Sequence, residues 1–380
     1  MRVCRRCALL AAFASAIGCA WALPASQVAA ADANAAVTGA QPVDAVEGLV
    51  AAFETHQVVA FGEHHQSEQA HALLRRLVRD PRFARQVDDV VVEFGNARYQ
   101  SLMDAFVAGV EVPAVQLRKV WQDTTLPHGV WDVPVYEEFF RAVRAANGAA
   151  AGRKLRVLLG DPPIDWSDVD ARRLREWNQQ RDTYPAELIE REVLRRNRKA
   201  LIVYGFWHLR RADEQGRPYA TSDRNAPWLA LFERHTGVHV LSVAAALGLE
   251  KGLPVATSWP APSIAFVEGT MLARSPFMVA GRDTGPAGKL YDAVLYLGPE
   301  QELTFSMLPL ELLRDSSYQQ LRMSRMALSV QQACQPFQLA RQRAGRQIDR
   351  PAGHPTHRPA LPVRPLVIIR PPGMTPGVDE

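Results

Sequence analysis

Four short apolar runs constrain this chain more than any other feature. Residues 58–61, 90–92 and 201–204 are apolar throughout, and 155–159 is apolar but for Arg156; they stop at Gly62-Glu63, at Glu93, at Gly205 and at Gly160-Asp161 respectively. A strand covered on both faces needs such a run, whereas a strand with one wet face would alternate. Between the runs lie amphipathic stretches. Ala70, Leu73, Leu74, Leu77 and Val78 recur at the spacing of one buried helical stripe, and Phe139, Phe140 and Val143 do the same within 135–146. Further runs follow at 238–243, interrupted by His239 and Ser242, and at 264–267 and 293–297. The alternation predicts an α/β fold: a mainly parallel sheet flanked by helices with right-handed crossovers, in a single large domain over about 45–330. The stretch 99–147, with Trp121, Trp131, Pro113, Pro127 and Pro134, is too long for a plain connection. It is expected to form a helical insertion after the second strand that caps the site or shapes a pocket.

The two ends differ from this body. Arg2, Arg5 and Arg6 precede an uncharged run from Cys7 to Ala22, the pattern of an export signal and too short for a membrane span. Residues 1–31 are therefore expected to be a signal peptide, cut either after Ala20-Trp21-Ala22 or before Cys19, which would then carry a lipid anchor. The protein is expected in the periplasm or as an outer-membrane lipoprotein, touching membrane only through Cys19. Residues 336–380 hold nine prolines and seven arginines, a composition that predicts an extended, disordered tail.

The net charge of +4 hints at nucleic acid until it is located. The first thirty-one residues contribute +3 and the last forty-five +4, so the body between them carries −3 and no nucleic-acid partner is expected. Three of the four cysteines lie in the first twenty residues and Cys334 stands apart, so the body has no disulfide framework. Oligomeric state is not legible.

In open parallel sheets the ligand site lies beyond the carboxyl ends of the strands. Here those ends carry Glu63, His64 and His65, with Glu68 and His71 in the next turn, then Glu93, then Asp161 and Asp165, then His208. Gly62-Glu63-His64-His65 and Gly205-Phe206-Trp207-His208 share the spacing G-x-x-H, in which glycine lets the backbone turn sharply before an imidazole that points across the sheet top. One of the adjacent His64 and His65 is expected in the site and the other packed nearby. His65 and His208 with Glu93 would make a two-histidine, one-carboxylate set for a divalent metal such as Zn, Mn or Co. Without metal, Glu63, His65 and His208 would activate water directly. His64, Glu68, His71 and Asp161 are candidate supporting or cofactor-binding groups. Taken singly, Glu63 reads equally as a helix-start acid, His71 as a core histidine and Asp161 as a turn former. His56, His128, His235, His239, His354 and His357 read as ordinary histidines.

These segments resemble a superfamily comprising the erythromycin-esterase-like, ChaN-like and Tiki-like proteins. The likeness rests on the opening strand and G-E-x-H element at 58–65, the V-V-V-E-F strand at 90–94, and the strand running into G-x-x-H and then Leu209-Arg210; it spans about 58–325. Uncharacterised exported bacterial members are similar at Gly62-Glu63-His64-His65, at Val92-Glu93-Phe94-Gly95-Asn96 and at 159–166. Tiki-type proteins imply metal-dependent peptide hydrolysis through His65, His208 and Glu93 or Glu63. Erythromycin-esterase types imply water activation by Glu and His for lactone hydrolysis, although their histidine usually falls where this chain has Gln66. ChaN types imply an exported lipoprotein that binds haem. The sequence thus points to an exported hydrolase of an ester, lactone or peptide bond acting on a small molecule or peptide, with a haem- or metal-binding envelope protein as the alternative.

Overall fold

The computed structural model of the protein describes residues 39–279 and 282–348. The expected signal segment 1–31, Cys19 and the tail beyond Ile348 lie outside the described residues. Two units are distinguished, Met1–Gln332, which holds the sheet, and Ala333–Glu380. Among the described residues no helix is long and apolar enough to cross a membrane.

Eight strands form the main sheet: β1 (Val43–Asp44), β2 (Val58–Glu63), β3 (Asp89–Asn96), β4 (Arg156–Asp161), β5 (Ala200–Gly205), β6 (Leu241–Ala245), β7 (Ser263–Phe266) and β10 (Ala293–Tyr296). A separate hairpin joins β8 (Pro276–Val279) to β9 (Arg282–Pro286). The order is β1-β7-β10-β6-β2-β5-β3-β4. All neighbours from β10 to β4 are parallel, and only β7 and β1, at one edge, pair antiparallel. All four runs singled out in the sequence are therefore central or adjoining strands of one sheet.

Helices of eight or more residues are α1 (Ala45–Thr55), α2 (Glu68–Arg79), α3 (Gln100–Val107), α4 (Ala114–Gln122), α5 (Pro134–Ala149), α6 (Ala171–Asn178), α7 (Thr183–Glu192), α8 (Trp228–Thr236) and α9 (Ser316–Ile348). Successive strand residues enter opposite cores, as a pleated strand requires. Val59, Phe61, Val90, Val92, Leu201 and Val203 pack with α1, α2 and the insertion. Val58, Ala60, Val91, Ile202 and Tyr204 pack with α7 and α8 on the other face. The expected insertion consists of α3, α4, α5 and the loops joining them. Helix α2 begins where Ser67 Oγ accepts from Ala70 N at 3.3 Å, and it buries the predicted stripe.

One expectation is corrected. Helix α9 runs to Ile348, so 336–348 is helical rather than an extended tail. Between Pro336 and Pro351 the sequence lacks proline and is rich in Arg and Gln, with Leu339, Ala340 and Ala344 among them, all good helix formers. Averaging composition over the whole tail hid that stretch.

Strand register sets up the site. Glu63 lies opposite Gly205 across β2 and β5, and the β3–β4 register shifts between Val92 and Asn96. Such an irregularity re-aims a side chain, and Glu93 sits within it. Leu74 of α2 is fully buried whereas Leu313 is exposed. Leu74→Ala should therefore lose about 2–5 kcal/mol in urea unfolding, and Leu313→Ala should stay within about 0.5 kcal/mol of the parent.

Candidate active site

The carboxyl ends of β2, β3 and β5 carry two linked histidine–carboxylate units. In the first, Glu63 is fully buried and holds three partners. His71 Nε2 donates to Oε2 at 2.6 Å. His65 Nδ1 donates to Oε1 at 3.1 Å, and the Tyr136 hydroxyl donates to the same oxygen at 3.4 Å. Burial alone would raise the Glu63 carboxyl, but His71 and His65 more than offset it and hold it below the usual range. Since the carboxylate takes the Nδ1–H of His65, the neutral tautomer leaves Nε2 with its lone pair free.

In the second unit, Glu93 is also buried. Gly205 N donates to Oε2 at 2.7 Å and Arg181 Nη2 donates to Oε1 at 2.6 Å. His208 Nε2 approaches Oε1 at 3.4 Å. His208 Nδ1 donates to Asp182 Oδ1 at 2.6 Å, and that oxygen also accepts from Trp228 N at 2.9 Å. Burial disfavours the His208 cation, yet Glu93 and Asp182 on either side outweigh it and push its pKa up to about 10. The two flanking carboxylates thus favour the protonated form of His208. Glu93 is held far below the usual carboxylate range because His208, His65 and Arg181 overcome its burial.

The two units meet at Gly205. A Cβ there would stand 2.6 Å from His65 Cε1, 3.1 Å from His65 Nε2 and 3.3 Å from Glu93 Oε2. Only glycine lets the imidazole lie this close to β5. On its other side His65 meets Trp131 edge-on, with ring centroids 4.5 Å apart. About a third of the His65 side chain remains open to solvent. Burial lowers its basicity, but Glu63 and Glu93 more than compensate and its pKa is raised.

The adjacent histidines divide as the chain direction requires. His65 faces the cluster, while His64 is buried, meets Phe206 with ring centroids 4.4 Å apart and donates from Nε2 to Ala245 O at 2.9 Å. Its desolvation holds its pKa near 4, so it is a neutral packing residue whose Nε2 is engaged by the backbone. His71 lies behind Glu63. Glu68 opens α2, where its charge suits a helix start, and it takes no part in the cluster's hydrogen bonds. Asp161 is buried, and Thr125 donates to it from N at 2.7 Å and from Oγ1 at 2.6 Å. Burial raises it to about 7 against the pull of Arg181 and Thr125. Asp165 pairs instead with Arg98 on the surface.

The expected metal set is corrected. Among the described residues no group of three or more His, Cys, Asp or Glu side chains is placed to hold a metal ion. His65, His208 and Glu93 do converge, but Arg181 and Gly205 N–H donate to the two Glu93 oxygens, and both ring nitrogens of His208 face carboxylates, Asp182 and Glu93. The positive charge that a metal would bring is supplied by a guanidinium. Haem would be offered one free imidazole nitrogen in this cluster, His65 Nε2, with Gly205 and Glu93 against it. Cavities of about 460 and 530 Å3 open elsewhere, between α7 and α8 and beside Asp132, and neither is lined by His65 or His208.

Arg181, Asp182 and Tyr136 were not singled out by sequence, and Trp131 was noted only as part of the insertion expected to cap the site. Arg181 and Asp182 lie between two helices with no motif around them. The one available cue was that paired buried carboxylates demand a cation. His128, read as an ordinary histidine, is within electrostatic reach of Arg181, Arg322 and His65, and burial followed by those charges lowers its pKa.

No family model and no curated protein matches the sequence. Solved structures similar to it include a Bacillus cereus protein at TM-score 0.48 and 10% identity, covering 73% of this chain and 98% of that one. An erythromycin esterase variant, EreC in its open conformation, gives 0.46 and 11%, covering 69% and 94%. The ChaN protein of Campylobacter jejuni, described with cofacial haem, gives 0.37 and 12%, covering 66% and 90%. Two of the classes that the sequence motifs resemble thus stand among the structural neighbours. Similarities this distant transfer no residue's role.

The His208 pKa gives a pH prediction. A histidine raised above its unfolded value of about 6.5 stabilises fully below that pH, and the contribution is lost as pH rises through the folded value near 10. The stability gap between the parent and His208→Gln should therefore be widest at pH 6 and shrink by pH 10.5, as read by urea unfolding at both. An equal gap at the two pH values would contradict a charged His208.

Proposed function

We propose that the protein is a hydrolase that activates water directly at His65 and cleaves an ester, lactone or peptide carbonyl of a small molecule or peptide. The observation that carries this reading is the Glu63–His65 pair, in which the carboxylate fixes Nδ1–H at 3.1 Å and leaves Nε2 free on a one-third exposed ring. His65 Nε2 takes a proton from water as the oxygen attacks the carbonyl carbon. Glu63 stabilises the imidazolium that forms, and the proton then passes to the leaving group. His208 and Arg181 bring positive charge to the same end of the sheet, where it would stabilise the developing oxyanion. No metal takes part in these steps. The reading places the enzyme outside the cytoplasm, in the periplasm or anchored through Cys19, which the N-terminal sequence supports.

Activity should rise with pH as His65 loses its proton, above the ordinary histidine value, and fall near pH 10 as His208 loses its charge. His65→Gln should lower kcat on a responsive ester or peptide substrate by about 10²–10⁴-fold, while Glu63→Gln should shift the acid limb downward. A substrate panel in which His65→Gln turns over as fast as the parent would remove the proposal. A Soret band on haem titration that vanishes in His65→Gln would favour the binding alternative.

A further inference from the structure

We propose that Tyr318, Arg322 and Arg325 of α9 are positioning residues for His65, acting through the loop 122–132 that carries Trp131. The proposal rests on the reading of His65 as the water-activating group.

Helix α9 is inverted relative to an ordinary surface helix. Arg322 and Arg325 are buried, and Tyr318 nearly so, whereas Met323, Met326 and Val330 are exposed. Residues 318, 322 and 325 share one helix face, and that face meets the loop. Arg322 grips Asp132 with Nε at 2.8 Å to Oδ2 and Nη2 at 2.7 Å to Oδ1. The Tyr318 hydroxyl donates to Asp132 Oδ2 at 2.5 Å. Arg325 Nη2 donates to Asp123 Oδ1 at 2.6 Å. Both arginines also donate to Gln122 O, at 3.0 and 2.7 Å. The cluster closes over Gly129, whose φ is +69° and where a Cβ would fall 2.5 Å from Asp132 Oδ2.

From the sheet side the loop is pinned to the site. Asn96 Nδ2 donates to Asp123 O at 2.6 Å, Gln66 Nε2 donates to Val130 O at 3.1 Å, and Thr125 donates twice to Asp161. Gln66 itself takes a left-handed backbone, φ 71°, directly after His65. Trp131, one residue from Asp132, bears on the His65 ring. Three constraints thus fix that ring: Glu63 at Nδ1, Gly205 beneath and Trp131 at its edge. Only the Trp131 constraint depends on α9. The charged groups around the ring are Glu63, Glu93 and His208, with His128 on the loop itself.

The test uses the full chain with Tyr318→Phe, Arg322→Gln and Arg322→Lys. The His65 ring is followed by NMR titration, with its signal assigned by loss in His65→Gln, alongside Tm and turnover. Arg322→Gln is expected to move the His65 titration toward the free-histidine midpoint of about 6.5 and to lower kcat about 10²-fold with KM little changed. Arg322→Lys should restore part of both. If Arg322→Gln does not fold, Tyr318→Phe, which removes one hydroxyl, should show the same shift on a smaller scale. A fall in Tm with a His65 titration superposable on the parent's would overturn the proposal and leave α9 a stabilising element only. The NMR arm reads out even if no substrate is ever turned over, so failure of the hydrolase reading and failure of this one are distinguishable.

Discussion

The structure turns on the buried carboxylate of Glu93. It sits where β3 loses register with β4, accepts from the backbone of β5 and from Arg181, and faces His208. Burying one charge costs several kcal/mol unless it is paired and hydrogen-bonded, so each partner is required rather than optional. Arg181 must fold inward from the turn between α6 and α7, Gly205 must turn its N–H toward the carboxylate, and His208 must lie beside it. The anion draws three separate segments together, and His65 is then seated against the glycine that the anion has fixed.

The charges of the cluster alternate. Glu63 faces His65 and His71, while Glu93 faces His208 and Arg181, with Asp182 closing the far side. Each carboxylate thereby sets the proton state of an imidazole in a different way. Glu63 orients His65 while leaving one nitrogen bare, whereas Glu93 and Asp182 hold both nitrogens of His208. One histidine is suited to exchange a proton and the other to hold one. That contrast distinguishes the two G-x-x-H elements, which look alike in sequence.

Much of the fold was legible because it depends on periodicity. Apolar runs, unbroken for β2, β3 and β5 and interrupted only by Arg156 for β4, located these strands, and the Leu73, Leu74, Leu77 stripe located α2. The same reasoning placed Glu63, His65, Glu93 and His208 together, since the ends of adjacent parallel strands are neighbours. It left open which of His64 and His65 faced inward, and that was decided by the carbonyl of Ala245 on a strand far along the chain. It missed Arg181 and Asp182 and gave Trp131 no individual role, because nothing local marks a residue whose partner is remote. Composition misled at 336–348, where prolines further on were averaged into a stretch that contains none after its first residue. The metal set failed for a related reason: two histidines and a carboxylate at strand ends also describe a site whose cation is an arginine, and spacing alone does not separate the two.

The inward-facing arginines of α9 bear on where the domain ends. All eight strands of the main sheet are complete by Tyr296, and a boundary drawn by sheet content would fall there. Cut at that point, the chain would retain every member of the His65 and His208 units, yet Asp132 and Asp123 would lose the arginines that neutralise them and the wall beside His65 would lose its outer support. The smallest charge-balanced unit is therefore set at the loop and extends at least through Arg325, beyond the last strand of the sheet.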